Sequence, residues 1–431
     1  MIYFFAFMIP FMYLGVVALW SPVPMWWIVT DSPDYINMAL SGCVSCIPNS
    51  PAFDFCRAPL FPYVISILGI RGVVLFNTLC AGIAIISLTQ FVRKYTESTV
   101  AAWFGMLIAA LAIAPIVPAI LSDSLCIVLL VGAVAISFRT GISMMLAIIA
   151  GVLLGLAAIT REAATVWLIT LPLAAIIIHG RRSWVKIAIM AAVAVVPPAI
   201  QSVRVYSHTG IFSVATFGLS MQMYPLTAAE AYTHGTPAEM TKLVARLAEQ
   251  KRRDMGPMAT VKDRVRYEWD HFFTAMKTEK HGLVAHFAKA PFYIALSSPR
   301  QWEAQFPGLI PRWVVRIVMP PITLLFLLGS WGLWTCNRRL FYAFLILVAP
   351  VFAQALLIGP TVTSRTLLPA IPITALLTVA GFQVAMAGLC SILSLHSYKS
   401  ISSGTRENGW IERIRCRFCG DTLDHPLTFY R

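Results

Sequence analysis

A small set of carboxylates and arginines in this chain could do chemistry. Asp31, Asp34, Asp54 and Arg57 crowd into one stretch, DSPDYINMALSGCVSCIPNSPAFDFCRAPLFP (31–62), between two apolar runs. Asp123, Arg161, Glu162 and Arg365 each stand at the edge of another apolar run. A guanidinium grips a phosphate through two parallel hydrogen bonds and steadies it as it leaves. A carboxylate takes the proton from an attacking hydroxyl or amine. Together they suit transfer of a sugar off a lipid-linked phosphate. Any one of these residues could equally be a loop residue at a helix end, where charge costs little. The reading therefore depends on whether the elements between them bring the set to one face.

Those elements are apolar. Of the 431 residues, 58% are hydrophobic and 12% charged, with mean hydropathy +0.76. Soluble domains carry about 25% charged residues, so the composition belongs to a polytopic, all-α membrane protein. The net charge of +14 is spread over short turns and a tail. Positive-inside topology explains that pattern better than nucleic-acid binding. The first apolar run lacks a basic lead-in and a small-residue cleavage site and reads as an anchor. A span needs about 20 apolar residues. Candidate spans fall near 2–21, 72–92, 99–118, 120–138, 142–159, 163–179, 184–200, 313–335, 340–358 and 366–390. That makes a bundle of about ten transmembrane helices, without an internal repeat.

Lys and Arg in the short turns set the orientation. With the N-terminus inside, the inner turns hold Arg93 and Lys94, Arg139, Arg181, Arg182 and Lys186, and Arg338 and Arg339. The outer face then receives 22–71, the turns near 119 and 161, the segment 201–312, and 359–365. All of the candidate residues land on that face. The expected organisation is an N-terminal transmembrane module, 1–200, whose outer loop 22–71 carries the chemistry. A small extracytoplasmic helical cap (201–312), C-terminal transmembrane helices (313–390) and a basic cytoplasmic tail (391–431) follow. In the cap, 237–255 and 258–280 are expected to be charged helices. The stretch 286–306 is expected to be an amphipathic piece on the membrane surface.

Several short segments resemble the GT-C superfamily of polyprenyl-phosphate-dependent glycosyltransferases, which includes protein O-mannosyltransferases and lipid A aminoarabinose transferases. DSPDY (31–35) is similar to the first-loop acidic motif, an Asp about four residues before an aromatic; RAPLFP (57–62) is similar to the basic-x-Pro-Leu-x-Pro lead into the second span. LSDSL (121–125) resembles a Ser-Glu-x-Leu helix start, with Asp123 in place of Glu. LAAITRE (156–162) resembles a further outer turn with an Arg. SRTLLPAIP (364–372) resembles a late Arg-aromatic-x-x-Pro-x-x-Pro start, with Thr366 in place of the aromatic. The likeness covers the organisation of residues 1–390, and order and sidedness carry it more than any one motif.

The resemblance implies a GT-C-like bundle and a one-step, inverting transfer from a polyprenyl-phosphate sugar to a glycolipid, glycan or protein. Asp31 is the implied base, with Asp34 in reserve. Asp123 orients the acceptor or shares the proton. Arg57, Arg161 and Arg365 hold the donor phosphate, and Tyr35 and Glu162 contact substrate. No cofactor is required, although a divalent metal accompanies some members. The implied location is a bacterial cytoplasmic membrane, with the site facing the periplasm or exterior.

Cys43, Cys46 and Cys56 sit in the outer loop, where an oxidising compartment permits a disulfide. Cys43 or Cys46 with Cys56 would brace it; a metal site lacks a nearby His. Cys80, Cys126, Cys336 and Cys390 read as packing residues. His271, His281 and His286 form no metal motif. RCRFC (415–419), with His425, is half a zinc site, and a tail lying near anionic lipid explains it better. Trp26, Trp27, Trp302 and Trp313 read as an interfacial belt. The chief alternative function is a transporter or flippase, which calls for mid-span charges and paired broken helices. A lipid-linked glycan ligase and a membrane scaffold are the others.

Overall fold

The computed structural model describes residues 1–20, 32–40, 57–96, 98–139, 141–215, 229–230, 246, 250, 253–254, 256, 260–296, 312–358 and 371–398. Among the described residues all regular structure is helical. The first eight α-helices are α1 (Ile2–Trp20), α2 (Ser32–Leu40), α3 (Leu60–Thr96), α4 (Thr99–Ile113), α5 (Asp123–Ser137), α6 (Met144–Thr160), α7 (Trp167–His179) and α8 (Trp184–Thr209). Then come α9 (Val261–Thr278), α10 (Lys280–Leu296), α11 (Arg312–Cys336), α12 (Arg338–Ile358) and α13 (Ile371–Tyr398).

Local chemistry starts and stops these helices. Ser98 and Ser143 cap α4 and α6 by accepting from the amides of Ala101 and Leu146. Thr260 and Asp263 form a reciprocal capping box at the start of α9. Gly210, at φ 69°, ends α8 in the left-handed region.

The bundle is apolar outside and carries polar groups inside. Leu19, Ile67 and Ile200 are 83, 75 and 67% exposed, whereas Asn77, Thr78 and Thr89 are fully buried. Buried hydroxyls return their protons to their own helix, as Thr78 does to the Val74 carbonyl and Thr89 to that of Ile85. Such a surface suits hydrocarbon rather than water. Among the described residues, four stretches are long and apolar enough to cross a membrane: Ile2–Leu19, Leu60–Lys94, Glu162–His179 and Arg181–Thr209. Shorter apolar helices run over Thr99–Ile113, Asp123–Ser137, Met144–Thr160 and Ile373–Met386. Helix α8 packs closely on α6: a Cβ on Gly151 would lie 2.5 Å from the Met190 carbonyl oxygen, and one on Gly155 2.7 Å from that of Ala194.

Side-chain contacts sort the helix ends. Arg93 donates to the Tyr3 hydroxyl at 3.2 Å. The Phe91 and Phe138 rings lie 6.4 Å apart, and Phe138 stacks on Phe344 at 5.9 Å. His179 Nε2 meets the Ser137 carbonyl at 2.7 Å. The start of α1, the ends of α3, α5 and α7, and the start of α12 therefore share one end of the bundle. The basic residues Arg93, Lys94, Arg139, Arg181, Arg182, Arg338 and Arg339 cluster in these segments. Asp123 opens α5 and Arg161 follows α6, both at the opposite end.

A helix occupies each expected span, but several boundaries differ; α8 runs to Thr209, nine residues past the expected 200 and into the stretch assigned to the cap. The stretch 31–62 contains α2 where a loop was expected: Pro33 fits a first helical turn and Asp34 complements the positive end of the helix dipole. Helix α3 starts at Leu60, twelve residues before the expected 72. Its interior breaks at Gly69, where φ is 67°, a value that glycine adopts without strain. Helix α13 runs to Tyr398, into the stretch assigned to the tail. The expected cap helix 258–280 corresponds to α9, and α10, which covers the first half of 286–306, packs on α11 and α12. Most of 237–255, together with 297–311 and 399–431, lies outside the described residues.

Candidate functional site

The site is built on a piece of chain that is not helical. After the 3-10 turn Ala114–Ile116 the backbone runs irregularly to Ser122, yet Val117, Ala119, Ile120, Leu121 and Ser122 are all buried. Buried backbone without a helix or sheet ladder must find partners elsewhere. Ser32 Oγ donates to the Ile120 carbonyl at 3.0 Å. Asn77 Nδ2 donates to the carbonyls of Ala119 and Leu121, each at 3.3 Å. The Leu121 amide turns back to the Ala119 carbonyl at 2.9 Å. Helices α2 and α3 thereby fix the chain just ahead of Asp123.

Tyr35 extends the same junction. Its hydroxyl shares a hydrogen bond with Ser122 Oγ at 3.1 Å, and its ring meets Phe61 edge to face at 5.2 Å. The Arg57 guanidinium carbon sits 5.8 Å from the centre of the Tyr35 ring. From there Arg57 donates to Asp34 Oδ2 through Nε at 3.2 Å and Nη2 at 2.6 Å. Arg161, in extended conformation just beyond α6, makes an ion pair with Asp123 in the first turn of α5. Asp123 is 1% and Arg57 6% exposed. Charges so deeply buried are tolerated when paired.

Residues from four distant segments thus meet at one end of the bundle: Asp34 and Tyr35, Arg57, Asp123, and Arg161. Glu162 follows Arg161 and opens the 3-10 turn Glu162–Ala164, its carbonyl accepting from Thr165 Oγ1 at 2.7 Å. Tyr35, expected to face substrate, is 5% exposed and engages Ser122 and Phe61 instead. Asp31, Asp54, Arg365, Cys43, Cys46 and Cys56 lie outside the described residues. Cys80 and Cys126 are buried free thiols. Among the described residues, no three His, Cys, Asp or Glu side chains gather as a metal-ligand set.

Sequence reasoning overlooked Ser32, Asn77 and Ser122. Asn77 carried a signal: an amide in the middle of the apolar run GVVLFNTLCAGIAII implies a partner inside the bundle. Ser32 and Ser122 carried none, because a serine beside an aspartate is ordinary turn chemistry.

In α9, two titrating groups have identifiable environments. The Asp263 carboxyl is held below its ordinary value, chiefly by the hydrogen bond from the Thr260 hydroxyl. The Tyr267 phenol is pushed up to about 12, first by burial and then by its hydrogen bond to Asp254 at 2.8 Å.

No protein family model, no curated protein and no solved structure matches this chain.

Proposed function

We propose that this chain is a membrane glycosyltransferase that moves a sugar from a polyprenyl-phosphate-linked donor to an extracytoplasmic glycolipid, glycan or protein. The observation that carries the reading is the meeting of two carboxylate–guanidinium pairs, Asp34–Arg57 and Asp123–Arg161, across the Tyr35–Ser122 hydrogen bond. These pairs sit at one end of an apolar bundle whose opposite end gathers the basic turns. That arrangement fits a donor whose polyprenyl tail stays in lipid while its head enters a polar junction. The ten apolar helices would form a GT-C-like bundle, with the basic end cytoplasmic and α9 and α10 in the outer cap.

In the proposed reaction the acceptor oxygen or nitrogen attacks the anomeric carbon from the face opposite the phosphate. The bond from that carbon to the phosphate oxygen breaks, and its electron pair leaves on polyprenyl phosphate. The acceptor's proton passes to a carboxylate, assigned to Asp31 with Asp34 in reserve, while Asp123 orients the acceptor. Arg57, Arg161 and Arg365 stabilise the charge that grows on the leaving phosphate. Tyr35 holds the junction rather than the sugar.

The test is transfer of labelled sugar from polyprenyl phosphate in membranes holding the full chain. Asp31→Asn, Asp34→Asn and Asp123→Asn should include at least one variant that inserts normally and loses transfer by about a hundredfold or more. Full transfer by all three would sink the assignment. Uptake of a labelled solute into sealed vesicles, abolished by an uncoupler, would point to a transporter.

A further inference from the structure

Helix α9 is amphipathic yet too charged to cross a membrane. Seven of its 18 residues are ionisable as Asp, Glu, Lys or Arg, and a span tolerates few such residues. Helical spacing divides its side chains into three sectors. Val261, Glu268 and Ala275, seven residues apart, are buried against the fold. Asp263, Asp270 and Thr274 share a second sector and are exposed. Trp269, Phe273 and Met276 make up the third, and they are 40, 52 and 45% exposed. Lys262, Arg266 and Lys277 are exposed along that same third sector. Asp270, 4.0 Å from Arg266, lies on the second.

The rings are held in place by one another. Trp269 lies 5.6 Å from Phe273 and 5.7 Å from Phe272, and the two phenylalanines are 5.8 Å apart. An ordered cluster of large apolar side chains left open marks a surface that something covers.

The connection to the bundle is short and stiff. Only Glu279 separates α9 from α10. Its amide donates to the Ala275 carbonyl at 2.7 Å, and its carbonyl accepts from the Leu283 amide at 3.0 Å. Helix α10 in turn packs on α11 and α12, two apolar helices of the bundle. It repeats the pattern of α9 on one side, where Lys280, Val284 and Phe287, at i, i+4 and i+7, are all exposed.

The two components of the stripe specify what covers it. Water suits the cations and not the rings, and hydrocarbon suits the rings and not the cations. The headgroup layer of a membrane takes both. Indole and phenyl rings settle at headgroup depth. Lys and Arg lay their stems along apolar surface and extend their charges to the phosphates, and an anionic surface adds attraction for each of them. A helix lying flat beside the bundle satisfies all three sectors at once, with protein on one side, water above and lipid headgroups beneath. We infer that α9 docks on the anionic headgroup surface of the membrane around the bundle, through Trp269, Phe273 and Met276 flanked by Lys262, Arg266 and Lys277. This placement holds whatever reaction the bundle performs.

The test follows hydrogen exchange in α9 of the full chain, one copy per nanodisc. The discs are made of phosphatidylcholine alone or of about equal parts phosphatidylcholine and phosphatidylglycerol. Amides of α9 should exchange about tenfold or more slower in the anionic discs, and about 1 M salt should erase the difference. Lys262→Gln, Arg266→Gln and Lys277→Gln together should abolish the lipid dependence. Trp269→Ser with Phe273→Ser should do the same. Because these side chains are exposed, neither set should lower the thermal midpoint in phosphatidylcholine; if the aromatic set does not fold, the charge set makes the comparison alone. In a background free of native cysteines, a nitroxide at Phe273→Cys should be reached more readily by oxygen than by a water-soluble nickel chelate, and one at Thr274→Cys the reverse. Equal exchange in both lipids, or a lipid dependence that survives the substitutions, would overturn the docking and leave the stripe to a protein partner. Protection that appears only in discs holding two copies would overturn it in favour of a second copy of this chain. A nickel chelate that reaches position 273 as readily as 274 would overturn it as well.

Discussion

The two ion pairs of the site differ in what each would lose on mutation. Asp123 is wholly buried and Arg161 nearly so, whereas the Asp34 side chain keeps about a third of its exposure. Removing one member of a buried pair strands a charge and costs about 3–5 kcal/mol, while a pair open to solvent contributes about 1 kcal/mol or less. Asp123→Asn and Arg161→Leu should each lower stability by about 3 kcal/mol. The double variant should recover part of that loss, since neither charge is then alone. Asp34→Asn should cost less, about 2 kcal/mol, because Asp34 is partly open to solvent although its guanidinium partner Arg57 is buried. Reversible unfolding in detergent, arranged as a double-mutant cycle, checks all three, and strict additivity at Asp123 and Arg161 would argue against direct coupling. At this scale the sequence told part of the story. Asp34, Asp123 and Arg161 announced themselves as ionisable residues beside apolar runs. The pairing of Arg57 with Asp34 is a choice among several nearby acids that only three-dimensional placement makes. Asn77 was visible but was read as part of a span, because a hydropathy window averages one amide away.

Elements were legible where a single physical requirement governs them. A run of apolar residues favours helix, so helices α4 to α7 lie close to the stretches that hydropathy marks, whereas α8 continues to Thr209. Helix α2 was missed because its nine residues are amphipathic and too short to register as a span; its stability comes from Ser32 and Tyr35 docking on the 120–122 backbone. The α3 start was missed because Gly69 and Arg71 look like a boundary, although the helix resumes beyond the break. Helix α9 yields a prediction at this level. Its capping box depends on an ionised Asp263, whose pKa is lowered in the fold, chiefly by the Thr260 hydroxyl. A depressed carboxyl pKa contributes stability above the unfolded value of 3.8, and that contribution is lost as pH falls through the lower folded value. Amides in the first turn of α9 should therefore exchange faster as pH drops below about 4, after correction for intrinsic exchange. Asp263→Asn should remove that pH dependence. A first turn equally protected at pH 3 and pH 6 in the wild type would contradict the role given to the cap.

For the whole molecule, the grouping of helix ends was the most readable property, because a few basic turns mark one of them. The contacts of Tyr3 with Arg93, Phe138 with Phe344 and His179 with Ser137 gather those turns at one end, as charge counting anticipates. In a background free of native cysteines, single cysteines at Gly141 and Arg181 should react with an impermeant thiol reagent from one side of sealed vesicles. Cysteines at Gly210 and Lys277 should react from the other. Labelling of all four from a single side would refute the two-ended arrangement. The close backbone contact at Gly151 and Gly155 matters beyond packing. It works like a detent between two threaded rods: α8 can seat against α6 at one pitch only. A slip of one residue would move the buried Gln201 by about 1.5 Å and turn it by about 100°, off the face it shares with Met190 and Ala194. The register of α8 against α6 is thus set by two residues with no side chain to offer, about one and a half and two and a half turns before the end of α6 at Thr160.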